Sequence, residues 1–184
     1  MAEGTFVESG PPAVTTYSPD GVHLLRTTQQ VQYQLSQMAD QKANMLLGAA
    51  FVIFSVSMGQ ARSGAPQLPL MILGGAAFIA AVLAVLAVLP SVKSPPTPNG
   101  PANVLFFGSF SQVPEAEYVE MLLSIVTDSK TVYQAFAHDI YQNGRVLSRK
   151  KYRFLGFAYR VLLAGLALSL AAFLAPYGLR LIGR

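Results

Sequence analysis

The chain has 184 residues, 52% hydrophobic and 12% charged, with a formal net charge of +4. Soluble domains carry about 25% charged residues, so this composition argues against an ordinary water-soluble domain. The absence of cysteine excludes disulfides, thiolate metal sites and cysteine nucleophiles, and His23 and His138 cannot form a metal site by themselves.

Residues 1–17 mix Gly, Pro, Thr and Ser and read as a disordered arm. Ser18-Pro19-Asp20 reads as a helix start, with Ser18 as cap and Pro19 at the first helical position. Leu24, Thr28, Val31, Leu35, Met38 and Met45 then follow 3–4 spacing, with Lys42 as the break. This coiled-coil-like stripe packs either on the chain's own extramembrane module or on another subunit. The other faces are rich in glutamine, from Gln29 to Gln41. No breaker stands between Pro19 and Gly59, so one helix is expected to run from residue 18 through a first membrane span at 43–60. Lys42 and Arg62 flank that span 20 residues apart, about 30 Å on a helix, which suits a bilayer core. More than 40 mostly polar residues precede it, so a cleavable signal peptide is not expected.

Pro66 and Pro69 mark a turn, and a second span follows at 68–90. Ala76, Ala80, Ala84 and Ala87 give it a small-residue stripe suited to close helix packing, or to lining a pore. It contains no ionisable residue, which argues against a proton relay. Ser94–Pro101 is a stiff proline linker. Val104–Phe107 reads as a short buried strand or a hydrophobic plug. Pro114-Glu115 opens a helix with Tyr118, Met121, Leu122 and Ile125 on its apolar face. Another begins near Asp128 and carries Val132, Tyr133, Phe136, Ile140 and Tyr141. Asn143-Gly144 suggests a stop or kink. Helix then resumes into a third span at 154–175, leaving 176–184 as a short tail.

Lys93, Lys130, Arg145, Arg149, Lys150, Lys151 and Arg153 all lie between the second and third spans. Positive residues near spans stay cytoplasmic. The N-terminus and the 91–153 module are therefore expected in the cytoplasm, and the tail with Arg180 and Arg184 outside. Arg145 to Arg153 form a basic collar suited to anionic headgroups or to a phosphate. The expected fold is mostly all-α: a three-pass transmembrane helical bundle, a long N-terminal cytosolic helix, and a small, mainly helical module between spans two and three. No nucleophile–base set, P-loop or metal motif appears. His138 and Asp139 diverge by about 100° on a helix. Enzyme activity is not expected.

Three blocks carry a resemblance: Asp40-Gln-Lys42-Ala43-Asn44-Met-Leu-Leu47, then Asn103-Val-Leu-Phe106-Phe107-Gly108, then Asp139-Ile140-Tyr141 with Lys151-Tyr152-x-x-Leu155-x-x-Ala158-Tyr159. In that order, over roughly residues 22–175, the chain resembles the Pycsar transmembrane effectors of bacterial anti-phage defence. The resemblance implies a receptor in the bacterial inner membrane for cUMP or cCMP made by a companion cyclase. It would impair the membrane, acting as a homo-oligomer in the lipid bilayer, with no other cofactor and no nucleic-acid partner. A lysine or arginine would hold the phosphate and an aromatic ring the base. The expected ligand residues are Lys42, Asn44, Asn103, Phe106, Phe107, Arg149, Lys151 and Tyr152. Asp40 and Asp139 are expected as a latch, with Asp40 meeting Arg149, Lys150 or Lys151. The competing expectation is a non-gated scaffold or assembly subunit that binds a partner through the 18–42 helix.

Overall fold

The computed structural model describes residues 17–63, 67–90 and 103–182. The expected arm before Tyr17, the turn at Pro66 and the proline linker lie outside them. Helix α1 spans Asp20–Arg62 without interruption. Its 43 residues reach roughly 65 Å, about twice the hydrocarbon thickness of a bilayer. The expected start forms: Ser18 Oγ accepts the Asp20 N–H at 3.3 Å, and Pro19 already has helical dihedrals at φ −54°, ψ −31°.

Helix α2 spans Gln67–Val88, with Pro69 in the first turn, where no backbone donor is needed. Short helices α3 (Phe107–Phe110) and α4 (Glu115–Val126) come next. Then α5 (Ser129–Val146), a π-helical turn (Leu147–Tyr152) and α6 (Arg153–Ile182) form one continuous rod. Three helical stretches are long and apolar enough to cross a membrane: α1, α2 and the rod's second half. No strand occurs among the described residues.

Helix α2 lies between α1 and α6 and packs along both. Alanines make this possible. Ala80, Ala84 and Ala87 of α2 are buried, and Ala84 and Ala87 join Ala39, Ala43 and Leu46 of α1 and Leu155 and Ala158 of α6 in one core. The alanine stripe is thus a packing surface within the chain. Farther along, a side chain at Gly165 would run into the Ala76 methyl, so α6 and α2 approach as closely as two backbones allow. Ser169 Oγ donates to the Pro69 carbonyl at 2.8 Å, satisfying a buried hydroxyl where lipid offers no partner.

The structure corrects three expectations. Val104–Phe107 is neither strand nor buried plug. Asn103 Oδ1 accepts the Leu105 N–H at 3.0 Å, and this side-chain turn leads into the single helical turn α3. Phe107 is 54% exposed. Second, helix runs through Asn143-Gly144. The missing Cβ of Gly144 admits the Gln32 side chain, which a methyl there would crowd at 3.3 Å. Third, most of the apolar stripe of α1 does not face the module, and only Leu24 and Thr28 line a groove against α5. Leu24, Val31, Met38 and Met45 are exposed, while the polar flank at Gln29, Gln32, Ser36 and Asp40 turns inward.

Candidate functional site

Where α1 meets the rod, two polar clusters lie beside a groove. The first centres on Asp139, only 6% exposed. Its Oδ2 accepts from Gln29 Nε2 at 2.8 Å and from Asn143 Nδ2 at 3.0 Å. Its Oδ1 accepts from Asn103 Nδ2 at 3.0 Å. The same Asn103 nitrogen donates to Gln142 Oε1 at 3.0 Å. Gln142 in turn donates to His138 Nε2 at 2.9 Å, which needs that ring nitrogen unprotonated. One buried carboxylate therefore ties α1, the segment before α3, and α5 together through neutral amides. Such a network rigidifies when fully satisfied.

The second cluster lies nearer the apolar spans. Lys151 Nζ donates to Asp40 Oδ2 at 2.6 Å and Oδ1 at 2.8 Å, and to Ser36 Oγ at 2.7 Å. Asp40 thus meets a collar lysine across the helices, as its place in the sequence suggested. The π-helical turn makes the collar fan out, because its extra residue shifts the angular phase of the next turns of helix. Lys150 Nζ reaches the Leu89 carbonyl at 2.7 Å and caps the end of α2. Arg145 stacks over Tyr141 at 5.7 Å, and Arg153 over Phe157 at 5.9 Å.

Between the clusters lies a cavity of about 240 Å³, lined among others by Gln29, Gln32, Tyr33, Ser36, Asp139 and Lys151. Its two carboxylate-bearing neighbours, Asp139 and Asp40, outnumber the one ammonium and disfavour an anion there. On the other side of Gln32 a broader groove of about 570 Å³ runs between α1 and α5. Arg145 and Arg149 stand at one end, with Tyr141, Ile140, Leu24 and Gln32 along its walls, and no carboxylate lines it among the described residues. Gln32 Nε2 donates to the Ile140 carbonyl at 3.0 Å, while Gln32 Oε1 is buried without a partner. A buried acceptor left unpaired costs about 1–3 kcal/mol, so this oxygen calls for a donor from water or a ligand.

The expected site residues therefore separate. Asn103 and Asp139 come together, as do Asp40 and Lys151. Arg149 lies in the basic groove. Lys42 and Asn44 are exposed on α1 and line neither the cavity nor the groove. Phe106 and Phe107 pack against each other with ring centres 4.9 Å apart, and they too lie outside both spaces. Tyr152 is at the surface, its hydroxyl 3.4 Å from the Leu35 carbonyl. Residues that sequence reasoning missed are Gln29, Gln32, Ser36, Tyr141, Gln142 and Asn143, while Arg145 was expected only as part of the basic collar. One signal for the first three existed: Gln29, Gln32, Ser36, Asp40 and Ala43 repeat at 3–4 spacing on one helix face.

A search of curated proteins and a search of solved structures each return no match. The model of the Pycsar effector protein domain matches residues 23–177, which takes in all three apolar helices and both polar clusters. The chain therefore belongs to the Pycsar effector family, a family of anti-phage signalling effectors.

Proposed function

We propose that this chain is a receptor for a cyclic pyrimidine mononucleotide, cUMP or cCMP, supplied by a companion cyclase, and that it impairs the bacterial inner membrane as a homo-oligomer when the nucleotide binds. The N-terminus and the 91–153 module face the cytoplasm, where that messenger is made. The ligand lies in the groove between α1 and α5. Its phosphate meets the guanidiniums of Arg145 and Arg149, which suit bidentate contact with phosphate oxygens. Its flat base lies against Tyr141, and a base N–H meets Gln32 Oε1.

The observation that carries this reading is the pair of arginines, Arg145 and Arg149, in a groove that no carboxylate lines among the described residues, with Gln32, whose Oε1 is buried without a partner, in its wall. Both pyrimidines offer a donor to it: uracil its ring N–H, cytosine its amino group. The arginines also sit just before and within the π-helical turn, on a rod that continues into the third apolar span. A ligand pulling on Arg149 strains that turn, and the Asp40–Lys151 pair on the same turn is the contact most easily exchanged. A ligand that binds the two arrangements unequally shifts their populations.

Calorimetric titration of the full chain in detergent with cUMP and with cCMP tests the site. Each of Arg145→Ala and Arg149→Ala is expected to weaken binding roughly 10- to 100-fold, the value of a charge-assisted hydrogen bond. Unchanged affinity in both variants, or no binding of either nucleotide to the parent chain, would reject the assignment.

A further inference from the structure

Two arginines stand where α6 enters its apolar span, with no carboxylate to meet them. Two contacts fix the level at which the spans begin. Lys150 Nζ reaches the Leu89 carbonyl at the end of α2. Lys42, which flanks the span of α1, has its carbonyl 3.5 Å from the Tyr159 hydroxyl. The boundary therefore crosses the rod between Lys150 and Tyr159, with Arg153 inside that interval and Arg160 just past it. Lys42, Arg153 and Arg160 are all exposed and make no ion pair among the described residues, since Asp40, the acid nearest Lys42, is held by Lys151. An unpaired cation at the edge of hydrocarbon calls for an anion or for water. Arg153 leans toward the span, its guanidinium 5.9 Å from the centre of the Phe157 ring. Arg153, Gly156 and Arg160 share one face of α6 at spacings of three and four. A Cβ at Gly156 would meet nothing within 4 Å, so the face carries an open notch between two arginines about 10 Å apart along the helix. We propose that this notch seats the headgroup of an anionic phospholipid from the leaflet on the module's side, its phosphate held by Arg153 and Arg160, with Lys42 beside Tyr159 adding a third positive charge.

Charge and depth select this occupant. Guanidinium forks match phosphate oxygens. A soluble anion would have to leave water for the edge of the lipid, whereas the phosphate of a phospholipid stands at that level already, with its chains in hydrocarbon. Phe157 and Tyr159 are 43% and 39% exposed on the two flanks of the notch, and aromatic rings at this depth suit the headgroup boundary. A zwitterionic headgroup brings its own cation, which three fixed cations repel. The seat is separate from the α1–α5 groove, which none of these residues lines. Lys42, which stands outside that groove, finds its role here. Arg160 lies deepest and reaches the phosphate level by extending its stem along the helix. A headgroup held in the notch pins the start of α6 to one leaflet, directly after the π-helical turn.

The chain has no tryptophan, so a single introduced one reports alone. Phe157→Trp places it beside the notch. Val85→Trp places a control on the exposed side of α2, one turn before Leu89. Each full-length variant is reconstituted without nucleotide in phosphatidylcholine vesicles that contain a minor fraction of either brominated phosphatidylglycerol or brominated phosphatidylcholine, with protease protection verifying insertion. Brominated chains quench a tryptophan that they touch. In Phe157→Trp the brominated phosphatidylglycerol is expected to be preferred by roughly 5-fold for each arginine engaged. Val85→Trp is expected to show a much smaller preference. Adding Arg160→Gln to the Phe157→Trp chain is expected to lower the preference roughly 5-fold. Gly156→Leu, which fills the notch and keeps both charges, is expected to remove most of it. Equal preference at the two tryptophans, or a preference unmoved by either variant, overturns the proposal and leaves a diffuse attraction between a basic surface and an anionic leaflet. Loss of the preference to inorganic phosphate, and not to chloride at equal ionic strength, overturns it in favour of a soluble phosphate. No nucleotide enters these measurements, so the receptor assignment and the lipid seat stand or fall separately.

Discussion

Asp139 and Lys151 both hold α1 against the rod, but burial gives them different weights. Asp139 is inside, and of its three amide donors Asn103 is buried with no water to turn to, Gln29 is half-buried and Asn143 is exposed. Asp139→Ala leaves Gln29, Asn103 and Asn143 short of an acceptor, at about 1–3 kcal/mol for each group that stays dry. A total loss of about 3 kcal/mol is expected, read as a lowered midpoint for thermal unfolding in detergent. Lys151 and Asp40 are 20% and 40% exposed, and a pair this wet contributes about 0–1 kcal/mol. Lys151→Met is therefore expected to leave the midpoint nearly unchanged while altering the nucleotide response. Equal destabilisation by both variants would show that the ion pair is as structural as the carboxylate hub. The Asp40 pairing was legible in the sequence, because one acid faces a run of five bases at the same membrane depth. The Asp139 partners were not. A glutamine fits a solvated face and a buried network equally well by composition, and only the tertiary approach of α5 decides between them.

At the scale of elements, the π-helical turn and the face choice of α1 shape the candidate site. The six-residue turn holds one residue more than α-helical winding needs, so Lys150 can cap α2 while Lys151 reaches α1. Deleting Ser148 should restore α-helical winding while leaving α5 and α6 in nearly the same rotational phase, so that the π-helical turn alone is lost. The expected outcome is an inserted chain that has lost nucleotide-triggered membrane depolarisation. A deletion variant that still depolarises on nucleotide addition would show that the turn does not transmit. Periodicity made the length of α1 readable, from the Ser18-Pro19 start to Arg62. It misled about direction. An apolar stripe is ordinarily taken to face the core, yet here the module offers amides and a carboxylate, and the polar flank of α1 satisfies them. Asn143-Gly144 misled in the same way. These residues stop helices by local chemistry, but here Asn143 donates to Asp139 and Gly144 makes room for Gln32. Val104–Phe107 has strand-forming residues, and the side-chain turn of Asn103 overrides them.

In the molecule as a whole, three apolar helices and one polar module are arranged so that the first half of α1 and the module share one end. Gln29 bonded to Asp139 and Asp40 to Lys151 fix that arrangement. The bundle was the most legible part of the sequence, since span length and charge depletion arise directly from the bilayer as solvent. The groove was the least legible, because its parts lie more than 100 positions apart and include a glutamine and a tyrosine with no motif. The central claim is that a nucleotide bound outside the spans changes what the spans do. Its most direct test is the purified full chain in liposomes loaded with a fluorescent dye. Dye release on adding cUMP or cCMP, no release without nucleotide, and loss of release in Arg149→Ala is the expected result. Release that is the same with and without nucleotide, or none with either, would contradict the account.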